Sequence, residues 1–444
     1  MTRTRIAIAL GVAAFAGSAS LFGGLLADSP SAGSSRPTSP GTAGRLLEGF
    51  SLGDTKAYVS YLERRVAADS SSVRELTLLG LAYQQRARET GDPSFYPRSK
   101  RALLRALALG RRSDLGGEQF LATTGLASLA ASQHRFREAR RLAERARHLS
   151  PGSAAPWGIL GDALVELGRY GKAFAAFDRM VSLKPSLTSY ARVAYARELV
   201  GDVRGAEAAM SLAVEAGASS SEHSAWALVQ LGNLRFDSGR INAAGKEYRA
   251  ALTRFPGYVH AEAGLARVAA ARGRYAGAIK LYRRAVARLP LPQYAAALGD
   301  VLHVSGRQAE ARRAYALVEA IDRVFRASGV RTELETALFD LDHGRRLHDA
   351  LARAREALRE RPSIEAEDVL AWALAKNGRC SEARQHSVRA LRLGTKDALK
   401  HFHRGIIERC LGNQAAARLH LARALAINPH FSLRYAPLAK EAVQ

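Results

Sequence analysis

A chain of 444 residues, 47% of them hydrophobic, can bury a large core, and its two cysteines, Cys380 and Cys410, with no CxxC pair or mixed Cys/His cluster, exclude a structural zinc fold. Ala, Leu and Arg dominate over β-branched and aromatic residues, which disfavours a sheet architecture. The net charge of +25 comes mostly from arginines scattered along the chain, so solvated helix faces explain it better than a nucleic-acid footprint.

At the N-terminus, Arg3 and Arg5 precede an uncharged stretch over residues 6–27. This pattern predicts a signal peptide or a signal-anchor helix over residues 1–27, because it has a basic n-region and just reaches bilayer length at about 20 residues. Arginines ahead of the span hold it with the N-terminus inside, which places the remainder outside the cytoplasm, membrane-anchored or secreted. Residues 28–44 form a Ser/Gly/Pro-rich linker with no capacity for a core. Residues 45–119 read as irregular helices. One is expected over 54–68, a second carries Leu79, Gly80 and Tyr83, and its partner carries Leu103 and Ala106. The stretch ETGDPSFYP lengthens the loop between the last two.

From residue 120 to 430 one unit recurs nine times. Its loop is read at Ala139, Ala173, Ala206, Ala244, Ala278, Ala311, Ala350, Ala383 and Ala417, in steps of 34, 33, 38, 34, 33, 39, 33 and 34 residues. GASSS, from residue 217, and IDRVFRASG, from residue 321, account for the longer steps. Each unit predicts two amphipathic helices. In one unit Trp157, Leu160, Gly161 and Leu164 fall at i, i+3, i+4 and i+7 on the first helix. Gly168 stops that helix, Tyr170, Ala173, Phe174, Phe177, Met180 and Val181 face the core from the second, and Pro185 ends it. Residues 431–444 are left as a closing helical segment.

The set Trp157, Leu160, Gly161, Ala173, Phe177 and Pro185 resembles the tetratricopeptide repeat pattern W-x2-L-G, A-x3-F, P, with Met180 in place of the usual Ala. The resemblance implies an all-α, right-handed superhelical solenoid whose first helices line a concave groove. Joined to the N-terminal segment, it suggests an exported or membrane-anchored bacterial protein that serves as an interaction scaffold. Carrying the family's groove positions over unit by unit gives Asp162, Tyr195, Glu198, Asn233, Phe236, Arg267, Asp300, His303, Phe339, Asp342, Asp368, Trp372, Phe402 and Arg409 as partner-binding candidates. These mix carboxylates with aromatics, so the excess arginines are expected on the second helices, as in residues 135–148. A groove of this character suits a basic or apolar peptide. The alternative is a basic convex face that binds anionic lipid or an envelope polymer.

Nothing in the sequence marks catalysis. His401 and His403 are two apart on a helix and point to different sides, and Gly171-Lys172 lacks the glycines and hydroxyl of a phosphate loop. No cofactor, metal, nucleic acid or small-molecule substrate is expected. Cys380 starts a second helix and Cys410 ends the next first helix, at the same edge of the solenoid. A disulfide and two free, partly buried thiols both fit that placement, the free pair being the preferred reading.

Overall fold

The computed structural model describes residues 55–110, 116–217 and 221–444. The expected export segment and linker lie outside the described residues. Among the described residues no helix is long and apolar enough to cross a membrane.

Among the described residues there are 22 helices and no strand. After Thr55–Ala68 they pair into ten helical hairpins. The first joins Val73–Thr90 to Phe95–Gly110, and nine more follow, from Gly116–Ser132 with Phe136–Leu149 through Ala398–Cys410 with Gln414–Ile427. Tyr435–Val443 closes the chain. The loop expected over ETGDPSFYP is shorter than the sequence pattern predicts. Gly91 caps the preceding helix at φ 68, and the next helix already begins at Phe95. Pro97 falls in that helix's first turn, where its missing N–H costs nothing. Part of the IDRVFRASG insertion extends a helix, Gln308–Ala327, to 20 residues.

Within a hairpin the two helices cross where one carries glycine and the other a ring. A Cβ on Gly161 would strike Phe177, one on Gly232 would strike Tyr248, and one on Gly299 would strike Tyr315. First and second helices differ in environment. Ala155–Glu166 is buried on nearly every face, whereas Phe136–Leu149 buries only Phe136, Ala139, Ala143 and Ala146 and presents arginines to solvent. A helix apolar all round must be enclosed by protein, and the first helices are enclosed because the superhelix is tightly wound.

Successive turns of the superhelix touch. The loop inside one hairpin seats on the link between hairpins of the next turn, at sequence separations of 192 to 197 residues. The Gln133 side-chain amide donates to the Ser328 carbonyl at 2.9 Å, and the Arg331 N–H donates to the Gln133 carbonyl at 3.1 Å. The Ile364 N–H donates to the Tyr170 hydroxyl at 2.7 Å. Thr395 donates to the Leu199 carbonyl, and Asn428 donates to the Phe236 carbonyl at 2.9 Å. Gly168 and Gly201, with φ of 67 and 77, meet the carbonyls of Pro362 and Gly394 where a side chain would collide. Earlier in the chain, Gly91 lies against Leu289 and Leu291. An ordinary solenoid unit touches only its neighbours; here a polar seam also joins units one turn apart.

Cys380 and Cys410 are joined by a disulfide, with Cα atoms 6.2 Å apart, so of the two readings open from sequence the structure holds the bonded one.

Candidate interaction groove

The first helices place the candidate side chains on the inside of the superhelix, and there they fall into two groups. Asp300, Phe339, Asp342, Asp368, Trp372 and Phe402 are buried, the most exposed of them at 5%. The chain's own C-terminal segment covers several of these. Arg434, itself fully buried, donates through Nε to Asp300 at 2.5 Å and through an Nη to the Tyr315 hydroxyl. Asp300 also accepts from the Tyr315 hydroxyl at 2.8 Å and lies 3.1 Å from His343 Nε2. The Tyr435 hydroxyl and the Trp372 indole N–H both donate to Asp342, at 3.0 and 3.1 Å. The Tyr435 ring stacks on Phe402 at 4.5 Å, and the Trp372 ring stacks on His403 at 4.3 Å. His403 in turn bonds Asp368 at 3.0 Å. Burial pushes the Asp342 carboxyl up to about 6 even with two donors on it. Residues 431–444 therefore do more than cover the last hairpin. They lie along the inner wall of four first helices.

The second group is more open. Tyr195, Glu198, Asn233, Arg267 and His303 are half-buried, and Arg409 is exposed at the edge beside the disulfide. Asn233 accepts from Tyr248 at 2.8 Å, and Arg267 bonds Asp237 at 2.6 Å while lying 3.8 Å over the ring of Phe236, which is buried. Asp162 is buried and paired with Arg192, whose Nη2 stands 2.7 Å away. Burial pushes the Glu198 carboxyl up to about 8, helped by Asp237, Asp397 and Glu365 and opposed by Lys400.

Several residues of this inner wall escaped the repeat pattern. Glu166 lies one helical turn beyond Asp162, and Glu365 lies three residues before Asp368, so both belong to the inward stripe of their helices. Lys400 holds Glu365 at 2.7 Å and Asp397 at 2.5 Å. Arg361 bonds Glu335. No local signal could pair Glu166 with Glu365, because only the superhelical winding brings them together.

On the outside, the second helices carry the arginines. Arg101, Arg105, Arg141, Arg145, Arg249 and Arg313 are exposed and make no ion pair with another described residue. The chain is thus divided in charge, with carboxylates lining the interior and unpaired arginines on the convex face.

Residues 124–188 and 235–301 each match a family model described as tetratricopeptide repeat, so the chain contains repeats of that kind. Solved structures with similarity include the APC/C hetero-tetramer Cut9–Hcn1, at 17% identity and a TM-score of 0.42 over 91% of this chain and 84% of that one. MamA matches at 18% identity and a TM-score of 0.29, over 36% of this chain and 93% of that one. Naa15/Naa10 bound to HypK-THB matches at 16% identity and a TM-score of 0.27, over 87% of this chain and 63% of that one. No curated protein sequence matches.

Proposed function

We propose that this chain is a non-catalytic protein-interaction scaffold that works outside the cytoplasm and takes a partner's segment along the groove wall of Tyr195, Glu198, Asn233 and Arg267. The observation that carries the reading is the division of the groove. Its C-terminal part is filled by the chain's own tail, while these four side chains remain partly exposed. Tandem tetratricopeptide repeats support a binding role, and a disulfide supports an oxidising compartment, where such bonds persist.

A photo-crosslinking residue placed at 195 in the full chain tests the site, with one at Arg249 on the convex face as the comparison. A partner captured from 195 and not from 249 supports the groove; the reverse pattern refutes it. N-terminal sequencing of the mature chain tests the location, and an intact N-terminus on a protein that fractionates with cytosol would refute export. The bare convex arginines favour a second reading, a surface binder of anionic lipid or polymer. Polyelectrolyte binding of that kind collapses steeply with salt, whereas a groove contact persists.

A further inference from the structure

The helix Cys380–Ala390 is held to the solenoid differently from its counterparts. Among the described residues, every other second helix buries at least one side chain as large as Leu or Met, as Leu103, Phe136, Phe177, Met210, Tyr248 and Leu421 do. This one buries only Cys380, Ala383, Ser387 and Ala390, and its Val388 is 53% exposed. Small side chains take little apolar area out of water, so burial anchors this helix weakly. Its neighbours hold it through polar groups. Arg384 donates to Glu408 at 3.1 Å, Arg404 donates to the Ser387 hydroxyl at 3.2 Å, and His386 Nδ1 lies 2.6 Å from Glu367. To these contacts the bond from Cys380 to Cys410 adds a covalent tie.

Cys380 opens its helix and Cys410 closes the next one, Ala398–Cys410, so the disulfide joins the end of this helix pair that lies away from the link over residues 391–397. That link carries a seam contact. Thr395 donates to the Leu199 carbonyl, and the Gly394 carbonyl lies against Gly201. The two sulfurs also differ in setting. Cys380 is 4% exposed, whereas Cys410 lies at the exposed edge. Cys380 is the first residue of a helix whose N-cap supplies no side-chain hydrogen bond. Glu382, the acid of that first turn, is held by Arg379 at 2.6 Å. Uncapped N–H groups at a helix start stabilise a thiolate. Cys410 is therefore the sulfur an incoming thiolate can reach, and Cys380 is the sulfur that leaves readily.

We propose that the Cys380–Cys410 bond is a cleavable latch. A partner protein's dithiol opens it by attack at Cys410, which frees the helix Cys380–Ala390 and loosens the seam at Thr395. In the first step a partner thiolate forms a bond to Cys410 Sγ, the bond between Cys410 and Cys380 breaks, and Cys380 leaves as a thiolate. In the second, the partner's other thiol attacks the partner sulfur of that mixed disulfide, and Cys410 leaves in turn. The chain gains two electrons, the partner's dithiol becomes a disulfide, and its two thiol protons pass to Cys380 and Cys410. The inference is independent of where a partner lies in the groove. In an oxidising compartment the latch stays shut until such a dithiol meets it.

Two measurements on the full oxidised chain, without denaturant, test this. In the first, brief treatment with glutathione is quenched by iodoacetamide and the peptides are weighed. The glutathione adduct is expected on Cys410 and the alkyl group on Cys380. An adduct mainly on Cys380, or a bond that neither glutathione nor dithiothreitol cuts in the native chain, overturns the proposal. In the second, amide exchange is compared before and after dithiothreitol. Amides of Cys380–Ala390 and of residues 391–397 should exchange about tenfold faster or more after reduction, with Tyr170–Leu183 unchanged. No change in the two segments overturns the latch. Equal acceleration in Tyr170–Leu183 also overturns it, by making the disulfide a staple of the whole fold. The attack site is read on the oxidised native protein, so the first measurement stands even where the reduced chain unfolds.

Discussion

Arg434→Met isolates the interaction that seats the C-terminal tail in the groove. The change keeps an unbranched apolar stem and removes the guanidinium. Arg434 and Asp300 have side chains 0% and 1% exposed, so Asp300 would be left buried with only the Tyr315 hydroxyl and His343 to answer it. Breaking a buried pair by deleting one partner costs roughly 3–5 kcal/mol. A repeat array need not unfold in one step, so the cost is best read locally. Amides of Tyr435–Val443 should exchange roughly two to four orders of magnitude faster, since each 1.4 kcal/mol is about a factor of ten. Amides in Val73–Thr90 serve as the internal standard. Adding Asp300→Asn removes the stranded charge and should restore most of the protection, as neutralised buried pairs usually do. Protection in the tail that falls less than tenfold in R434M, or no recovery in D300N/R434M, would refute the claim that this pair holds the segment.

Three further outcomes follow from the same structure. Tyr170→Phe leaves the buried Ile364 N–H without its acceptor and should weaken the seam by about 1–3 kcal/mol, seen as faster exchange of that amide; an unchanged rate would count against turn-to-turn bonding. Cys380→Ser with Cys410→Ser opens a loop of 30 residues and should cost about 3–4 kcal/mol by loop-closure entropy, read as a lower Tm than the oxidised wild type; equal Tm values would contradict it. Glu166 and Glu198 titrate near 4.5 when unfolded but at about 7 and 8 when folded, so their contribution is complete below pH 4.5 and lost as pH rises through 7 and 8. Lowered histidines such as His401, at about 4, act in the opposite sense but only below about pH 6.5. Stability should therefore fall between pH 6.5 and 8 in wild type and stay flatter in E166Q/E198Q; parallel pH profiles would refute the assignment.

The hairpins were legible in the sequence because each one is specified locally. The 33- to 39-residue spacing, the glycine opposite a ring at Gly161, Gly232 and Gly299, and the glycine after most first helices are all short-range signals. The inward stripe was legible for the same reason, since Asp162, Asn233, Asp300 and Trp372 sit at one helical position. What covers that stripe was not legible. Winding tight enough to press Gly168 on Pro362 depends on small differences in the angle between neighbouring units, summed over a full turn, and no single residue encodes that sum. Arg434 looked like an ordinary basic residue in a terminal segment, and only its distance from Asp300 in space reveals its role. The preference for free thiols failed on a similar point: the helix ends bearing Cys380 and Cys410 come closer than edge placement alone implies.

The seam sets this chain apart from other repeat arrays in how it can change over time. A one-dimensional stack gains or loses a unit at little cost, because each unit consults only its neighbours. Here Gln133, Tyr170, Leu199 and Phe236 each answer to a residue 192 to 196 positions away. Duplicating or deleting one hairpin anywhere between two such partners would shift every later match by one unit. The number of units within a turn therefore behaves like the length of a key rather than the length of a rope. Insertions are tolerable only where they keep that count, as the lengthened helix Gln308–Ala327 does, by growing within a unit and leading straight into the Ser328 contact.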